Sequence, residues 1–274
     1  MKIIKRIIKT VVILAVIAGA LAAYLNLMPS INVKYSVSAM ADKEYYLTAH
    51  RGLSSIAPEN TGVALVEAGK AGYYAAEFDI VPTKDGVWVL MHDDTVDRMT
   101  NGTGEVSAYT YSELLEFNID SGNGIENYPD LKVTTLEEAL DICEEYSMRA
   151  MIEIKGGESA DMPAVLETVK AHNLKNEPLI IDFNSERVEA LRKADSEIEL
   201  WYLVTSIEAE DIDFAKANGT ALAFNFGKIR NYTTLDEAKE AGLKLAVWTV
   251  DYLPIMDILT AFDVKYITTN RILP

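Results

Sequence analysis

Cysteine and histidine are scarce in this 274-residue chain, and a glycine-rich phosphate loop is missing after its first predicted strand; each of these features limits its chemistry. The single cysteine, Cys143, excludes an internal disulfide and a thiolate metal site. Its place in the apolar helical pattern with Leu136 and Leu140 predicts a small core residue. No glycine-rich phosphate loop follows the first predicted strand, which argues against a nucleotide-binding doubly wound sheet. Only three histidines occur, so imidazole chemistry is confined to few positions.

Positive charge is also scarce beyond the first residues. The chain has 25 lysines and arginines against 42 acidic residues, for a formal net charge of −17. Residues 1–34 hold five of the cations and no acid, so the remainder carries a net charge of −22. A body this acidic repels polyanions, and we therefore expect no nucleic-acid partner.

An N-terminal membrane segment is predicted at residues 1–30. Four positive charges precede Val11–Met28, an uncharged stretch that is long for a secretory signal and short for a spanning helix. The favoured interpretation is a transmembrane helix that acts as an uncleaved anchor, and the alternative is a cleaved signal with secretion. Because the cations precede the apolar run, the positive-inside rule places the rest of the chain outside the cytoplasm. Residues 31–43 would form a linker to one domain at 44–274.

Short apolar runs alternate with amphipathic helical patterns along that domain. Eight predicted strands, most followed by a predicted helix, indicate an α/β protein with a parallel sheet, and at this length a closed (β/α)8 TIM barrel is the leading form. An open doubly wound sheet is the alternative. The predicted strands are Tyr45–Ala49, Tyr74–Ile80, Arg149–Ile154, Pro178–Phe183, Glu199–Val204, Ala221–Phe226, Leu243–Val250 and Val264–Thr268. The predicted helices are Glu59–Ala71, Leu136–Tyr146, Met162–His172, Ser185–Ala194, Glu208–Ala217 and Thr233–Ala241.

One further strand-like run, Val87–Met91, follows the second predicted strand too closely for a parallel crossover. An antiparallel hairpin is expected instead, with its turn at Asp85-Gly86. A turn centred there would make Asp79 and His92 cross-strand neighbours, whereas a three-residue loop would shift the register. The segment from Asn101 to Lys132 is rich in glycine and asparagine, and we expect it to form a long excursion over the barrel mouth, where substrate-defining loops lie.

Carboxylates cluster near the ends of predicted strands, where barrel enzymes place their reactive residues. Glu77 and Asp79 are separated by one residue, so both side chains point to the same face of their strand. Two adjacent carboxylates are unfavourable without a cation, and Glu153 supplies a third oxygen donor. Such a set suits one divalent cation, Mg²⁺ or Ca²⁺, and not zinc. The alternative, a solvated surface strand, fits poorly with the apolar residues that flank these acids.

The basic and aromatic residues near the same strand ends complete a possible site. His50 and His92 are suited to general acid and base catalysis near neutral pH, in either order, and structural hydrogen bonding is their alternative. Arg51 and Lys155 could hold an anionic phosphate or form simple salt bridges. Trp248 could line a pocket for a leaving alcohol or fill the core. His172 has no such company and is expected at the surface.

Six motifs occur in order between about residues 45 and 270, and their combination is highly specific. They are His50-Arg51-Gly52, Pro58-Glu59-Asn60-Thr61, Glu77-x-Asp79, His92-Asp93-x-x-x-Asp97-Arg98-x-Thr100-x-Gly102-x-Gly104, Glu153-x-Lys155 and Trp248-Thr249-Val250. Together they resemble the glycerophosphodiester phosphodiesterases. The resemblance implies a (β/α)8 barrel that binds a divalent metal and cleaves glycerophosphodiesters to glycerol 3-phosphate and an alcohol. It implies His50 and His92 as the acid–base pair, Glu77, Asp79 and Glu153 as metal ligands, Arg51 and Lys155 as phosphate contacts, Glu59 as a residue that completes the site, and 93–132 as the family's insertion.

Four positions depart from the pattern of that family. Thr134 replaces a proline, Asp182 a serine, Asp251 an asparagine and Asn270 an aspartate. None removes a proposed catalytic group. The last three lie by strand ends, so we expect them to bear on the choice of substrate more than on the chemistry.

The sequence therefore predicts a membrane-anchored, extracytoplasmic, metal-dependent phosphodiesterase. Two other functions stay open at this point. One is a phospholipase D-like or phosphoinositide-type lyase that acts on membrane lipids from the same barrel. The other is a non-catalytic envelope protein that binds phosphodiesters, against which the intact pair of histidines argues.

Overall fold

The computed structural model describes residues 45–172, 174–228, 232–261 and 263–274. The predicted anchor (1–30) and linker (31–43) lie outside these ranges. Within them, no helix is both long enough and apolar enough to cross a membrane. The strands are β1 (Tyr46–Ala49), β2 (Ala75–Pro82), β3 (Trp88–Leu90), β4 (Arg149–Ile154), β5 (Leu179–Asp182), β6 (Glu199–Val204), β7 (Ala221–Asn225), β8 (Leu245–Trp248) and β9 (Tyr266–Thr269).

These strands close into a barrel. They form one sheet in the order β1-β9-β8-β7-β6-β5-β4-β2-β3, and β1 also pairs with β2. Every pairing is parallel except that of β3 with β2. Eight parallel strands thus complete the ring, and β3 adds to β2 outside it. The predicted closed barrel is confirmed, and the open sheet is excluded.

Helices surround the ring at the predicted positions, with ends that differ by a few residues. The structure adds α2 and α8 to the predicted set. The short α2 begins with a capping box, in which Thr110 and Glu113 each bond the other's backbone N–H. Thr135 and Glu138 form the same motif at the start of α3. The helices are α1 (Gly62–Ala71), α2 (Tyr111–Leu114), α3 (Leu136–Glu145), α4 (Met162–Ala171), α5 (Ser185–Ala194), α6 (Ala209–Asn218), α7 (Tyr232–Glu240) and α8 (Leu253–Ala261).

Side chains of the barrel strands alternate between two separate apolar clusters. Phe78 and Ile152 belong to the large cluster between the sheet and the helices. Met151 and Ile181 belong to a second, smaller cluster. Because side chains along a strand alternate in direction, the positions that share parity with Met151 and Ile181 face the barrel interior. Glu77, Asp79 and Glu153 occupy such interior positions.

The β2–β3 hairpin is antiparallel as predicted, but the predicted register is wrong by one residue. Ile80 pairs with Leu90, which places Met91, and not His92, opposite Asp79. Thr83 accounts for the shift: its backbone N–H donates to Val87 O at 2.8 Å, and its hydroxyl accepts from Val87 N at 3.0 Å. The loop therefore has three residues, with Gly86 in the left-handed region at φ = 84°.

The insertion at 93–132 has its own small core, which includes Val96, Met99 and Leu114. It also contacts the loop that follows β1. Asn123 Nδ2 donates to Ser54 O at 2.7 Å, and a Cβ on Gly124 would lie 2.4 Å from the carbonyl oxygen of Ile56. The insertion is thus packed against a loop at the carboxyl end of the barrel.

Candidate active site

A cavity of about 270 Å³ opens at the carboxyl ends of the barrel strands. Seven of the nine predicted site residues line it: His50, Arg51, Glu77, His92, Glu153, Lys155 and Trp248. Of the other two, Asp79 lies within the same acidic cluster, and Glu59 contacts the site through Arg51. The five groups on which the predicted chemistry depends are therefore brought together.

The turn after β1 connects its residues directly to β2. Arg51 and Gly52 both adopt left-handed backbone conformations, with φ of 58° and 72°. This conformation directs the Arg51 N–H to Glu77 Oε2 at 2.7 Å and the Gly52 N–H to Glu77 O at 3.0 Å. A Cβ at Gly52 would lie 2.6 Å from the backbone of Ala64, so this position requires glycine.

Glu77, Asp79 and Glu153 form a buried acidic triad, with ligand oxygens that all lie within 4.8 Å of one another. The parallel register of β2 and β4 pairs Asp79 with Glu153. Burial, together with the charges of the other two acids, raises the pKa of Glu77 well above its ordinary value. Burial and the charge of Asp79 likewise raise the pKa of Glu153 to about 7.

The triad has the properties of a cation site. Its donors are carboxylate oxygens, which Mg²⁺ and Ca²⁺ prefer, and Glu77 Oε1 is buried without a hydrogen-bond partner. A buried, unpaired carboxylate oxygen is unfavourable unless a cation or a donor meets it. The three residues therefore fit a divalent metal ion.

Two cations of the protein also contact the triad. Lys155 Nζ lies 2.6 Å from Glu153 Oε1 and 3.6 Å from Asp79 Oδ1. Arg51 Nε lies 3.6 Å from Asp79 Oδ2. Both side chains also line the cavity. They are therefore salt-bridged, and they present positive charge where an anionic substrate would enter.

The two histidines have different partners. His50 Nδ1 lies 2.8 Å from Asn270 Oδ1, and its Nε2 lies 3.9 Å from Glu77 Oε2. Burial, reinforced by the charge of Arg51, lowers the pKa of His50, against the opposing effect of the Asn270 hydrogen bond. His92 Nδ1 instead lies 2.8 Å from a carboxylate oxygen of Asp93.

Arg98 connects the second histidine to the turn after β1. Its Nε donates to Asp93 Oδ2, and this hydrogen bond holds the pKa of Asp93 at about 2. Its Nη2 donates to Glu59 Oε1 at 2.7 Å, and the same oxygen accepts from Arg51 Nη1 at 2.8 Å. Glu59 therefore orients two arginines, and it does not line the cavity.

The opposite wall of the cavity is apolar. Trp248 lies on it, and its ring packs edge-on against that of Phe183 at 5.7 Å. Ala223 and Ala246 are paired on β7 and β8, and their small side chains leave room in the barrel interior. The other apolar residues of this wall are Met151, Ile181, Trp201, Leu203 and Val247. The site is thus charged on one side and apolar on the other.

Several residues that support this site do not stand out from the rest of their motifs in the sequence. The side-chain amide of Asn60 donates to Asp79 through its NH₂ group and accepts from the Asp79 backbone N–H through its oxygen. Asp93 orients His92, and Arg98 links Asp93 to Glu59. All three lie within the quoted motifs, so their motif membership was the available signal. Long-range pairing was not visible from the sequence.

The residues that depart from the family pattern have identifiable contacts. Asp182 is buried and pairs with Arg187, through Nε at 2.6 Å and Nη2 at 2.8 Å, and it does not line the cavity. Thr134 Oγ1 accepts from the first N–H of α1, that of Gly62. Asp251 and Asn270 bond each other at 2.8 Å, next to His50.

Cys143 and His172 lie outside the cavity lining. Cys143 is fully buried in the core under the helices, as expected. His172 lies at the end of α4, where its Nδ1 is 2.9 Å from Thr168 O. It is half-buried there and has no place in the cavity lining.

Comparison with known proteins gives consistent matches. The sequence pattern of the Glycerophosphoryl diester phosphodiesterase family matches residues 50–273. Glycerophosphodiester phosphodiesterase 1 of Mus musculus is 36% identical over 154 residues, which cover 55% of this chain and 46% of the mouse protein. The match thus spans about half the length of that relative. A glycerophosphodiester phosphodiesterase of Caldanaerobacter subterraneus is 28% identical over 81% of this chain and 92% of its own length.

A solved structure is similar over most of the chain. It is that of a phosphodiesterase from Oleispira antarctica, in complex with its product sn-glycerol-3-phosphate. The TM-score is 0.78 at 25% identity, and the alignment covers 86% of this chain and 96% of the other.

Proposed function

This chain belongs to the glycerophosphoryl diester phosphodiesterase family, and on that premise we propose that it hydrolyses glycerophosphodiesters to glycerol 3-phosphate and an alcohol. The observation that carries the proposal is the convergence on one cavity of two imidazoles, two cations and a buried acidic triad. These groups supply proton transfer, phosphate binding and a cation site. The named product of the Oleispira antarctica enzyme supports the same substrate class.

The two histidines would divide the proton transfers. One imidazole takes a proton from the attacking water, whose oxygen forms the new bond to phosphorus. The other gives a proton to the oxygen of the departing alcohol, whose bond to phosphorus breaks. His50 and His92 both line the cavity, so each can act on the same phosphate from its own side. Proton transfer by a positioned side chain contributes roughly 10² to 10⁴ in rate.

The charged residues would bind the phosphodiester. Arg51 and Lys155 offer positive charge to the phosphate oxygens, and they are held in place by Glu59 and Glu153. Glu77, Asp79 and Glu153 would hold Mg²⁺ or Ca²⁺. A divalent cation bound there would polarise the phosphoryl oxygens and offset the charge that develops in the transition state.

A second candidate reaction uses the same residues. In it the substrate's own hydroxyl attacks phosphorus, and a cyclic phosphate is released. Such a lyase would act on membrane lipids, and the apolar wall that contains Met151, Ile181 and Trp201 favours a substrate with an apolar part.

One set of assays tests both reactions. Glycerophosphocholine, glycerophosphoethanolamine and a lysolipid would each be incubated with the protein and Mg²⁺ or Ca²⁺, before and after chelation, and the products read by phosphorus NMR. Metal-dependent formation of glycerol 3-phosphate supports the hydrolase. A cyclic phosphate supports the lyase. Binding of these compounds without turnover in either metal would contradict both and would indicate a phosphodiester-binding protein.

We also propose that the barrel lies outside the cytoplasm, tethered by the apolar segment within residues 1–30. The proposal rests on the cations that precede this segment and on the positive-inside rule. The full-length chain, expressed in cells with a C-terminal epitope, should be recovered in the membrane fraction. On intact cells, protease added outside the membrane should digest the epitope. Recovery from the medium would indicate cleavage instead, and protection from protease would contradict the proposal.

A further inference from the structure

Asn270 is held by Asp251 through two hydrogen bonds. The Asn270 side-chain Nδ2 donates to Asp251 Oδ2 at 2.8 Å, and its backbone N–H donates to Asp251 Oδ1 at 2.8 Å. Thr269 Oγ1 donates to the same Oδ1 at 3.0 Å. Because an ionised carboxylate only accepts hydrogen bonds, the NH₂ group of Asn270 must face Asp251. Its amide oxygen must therefore face the opposite way.

That oxygen meets His50. Asn270 Oδ1 lies 2.8 Å from His50 Nδ1, and it also accepts from Ser54 Oγ at 3.3 Å. An amide oxygen cannot donate, so the short contact requires the proton on Nδ1 of the imidazole. In the neutral ring the lone pair then lies on Nε2, the nitrogen on the side of Glu77.

We propose that Asp251 and Asn270 are positioning residues that hold His50 in the tautomer with its proton on Nδ1. Nε2 is thereby left free to exchange a proton with the substrate. The tautomer follows from the contacts alone, whereas its catalytic consequence rests on the proposed function. His92 is arranged differently, since its Nδ1 contacts the carboxylate of Asp93 and no amide orientation is involved.

The same two positions depart from the family pattern in opposite directions, with an acid at 251 and an amide at 270. In this chain the two side chains bond each other, the amide of Asn270 to the carboxylate of Asp251. The partner of His50 is therefore the neutral amide oxygen of Asn270, and the carboxylate of Asp251 orients that amide from its other side.

The test combines a tautomer measurement with turnover. Nitrogen-15 NMR of the imidazole rings distinguishes the two neutral tautomers, and the signals of His50 are identified among those of three histidines by their loss in H50Q. Wild-type His50 should carry its proton on Nδ1. N270A should show a mixture of tautomers and a kcat lower by roughly 10- to 100-fold, with a smaller change in KM. The double exchange D251N/N270D should restore the Nδ1 proton and most of kcat, because it retains an acceptor for Nδ1.

S54A is the matched control, since it removes the other donor to Asn270 Oδ1 and leaves Asp251 in place. It should keep the wild-type tautomer and kcat. A proton on Nε2 in wild-type His50, or an unchanged tautomer and kcat in a folded N270A, would overturn the inference. If N270A does not fold, the wild-type measurement and the double exchange still decide it. A wild-type protein with the Nδ1 proton and no turnover of any glycerophosphodiester would instead overturn the proposed function alone.

Discussion

Asn60 holds Asp79 through two hydrogen bonds that run in opposite directions. The Asn60 Nδ2 group donates to Asp79 Oδ2 at 2.8 Å, and the Asp79 backbone N–H donates to Asn60 Oδ1 at 3.0 Å. Asn60 is buried and left-handed, with φ of 53°, a conformation that asparagine tolerates better than most residues. One amide thus orients a carboxylate of the acidic triad and fixes the backbone beside it.

We therefore expect N60A to weaken metal binding. Asp79 is a proposed metal ligand, and the loss of its outer partner should lower the affinity for Ca²⁺ roughly 10- to 100-fold. The free energy of unfolding should also fall by about 1–3 kcal/mol, because a buried polar group loses its partner. Calorimetric titration and urea unfolding measure the two quantities.

N184A is the control for that experiment. Asn184 caps α5, where its exposed side chain accepts from Arg187 N at 3.0 Å, whereas Asn60 bonds a member of the triad directly. Its loss should cost about 1 kcal/mol of stability and leave the Ca²⁺ affinity unchanged. Equal metal affinity in N60A and N184A would show that Asn60 serves stability only.

Metal binding should become stronger as pH rises through neutrality. The pKa of Glu153 is raised to about 7, and that of Glu77 is raised as well. At pH values between the ordinary carboxyl pKa and the raised pKa, these two carboxyls are ionised in the unfolded chain but still protonated in the folded protein. The stability of the metal-free protein therefore falls as pH rises through this range. A cation that binds the ionised triad reverses this loss and releases protons.

Saturating Ca²⁺ should accordingly raise Tm by about 5 °C or more at pH 8 and by much less at pH 5. Scanning calorimetry at both pH values measures the shift. E153Q should reduce the difference between the Tm shifts at pH 8 and pH 5, since it removes one of the carboxyls with a raised pKa. An equal shift at pH 5 and pH 8 in the wild-type protein would contradict the assignment of the triad.

Substitution of either cavity histidine should abolish most of the activity. H50A and H92A should each lower kcat by roughly 10² to 10⁴, because one of the two proton transfers loses its group. Retention of Ca²⁺ affinity would show that the cation site is intact. H172A is the matched control, since His172 lies at the end of α4, away from the cavity lining. Turnover of H92A close to that of wild type would remove His92 from the proposed reaction.

Glu199 should stabilise the opposite end of the barrel in a pH-dependent way. It accepts from Arg149 Nη2 at 2.6 Å and from Trp201 Nε1 at 2.9 Å. These bonds outweigh the effect of burial and lower the pKa of Glu199 to about 2. For a lowered pKa, the stabilisation is complete above the ordinary carboxyl value and is lost as pH falls toward 2.

E199Q should therefore reduce the free energy of unfolding by about 1–3 kcal/mol at pH 7. At pH 3 the wild-type protein and E199Q should differ less in this free energy. Urea unfolding at the two pH values measures it, and activity at pH 7 should be unchanged. K244M is the control, because Lys244 forms only an exposed contact with Glu199 at 3.2 Å and should matter little. A difference that is the same at both pH values would exclude the ionised carboxylate as its source.

The β2–β3 hairpin could be predicted from the sequence, but its register could not. Its existence and its antiparallel direction followed from the short interval between two strand-like runs. The register did not, because the hydroxyl of Thr83 accepts from Val87 N and closes a three-residue loop. Asp79 and His92 therefore are not opposed, yet His92 still lines the cavity, since the chain leaves β3 at Leu90.

The sequence by itself determined the alternation of strands and helices, because the period of apolar residues is a local property. It favoured a closed barrel over an open sheet, and the pairing of β1 with β2 in the tertiary structure decided between the two. It also identified the acidic residues that the structure brings together, since Glu77, Asp79 and Glu153 are recognisable by type, spacing and position at strand ends. Only the tertiary structure decided how the supporting residues pair. Asn270 meets His50 across 220 positions, and such contacts depend on how the ring closes, which no local pattern encodes.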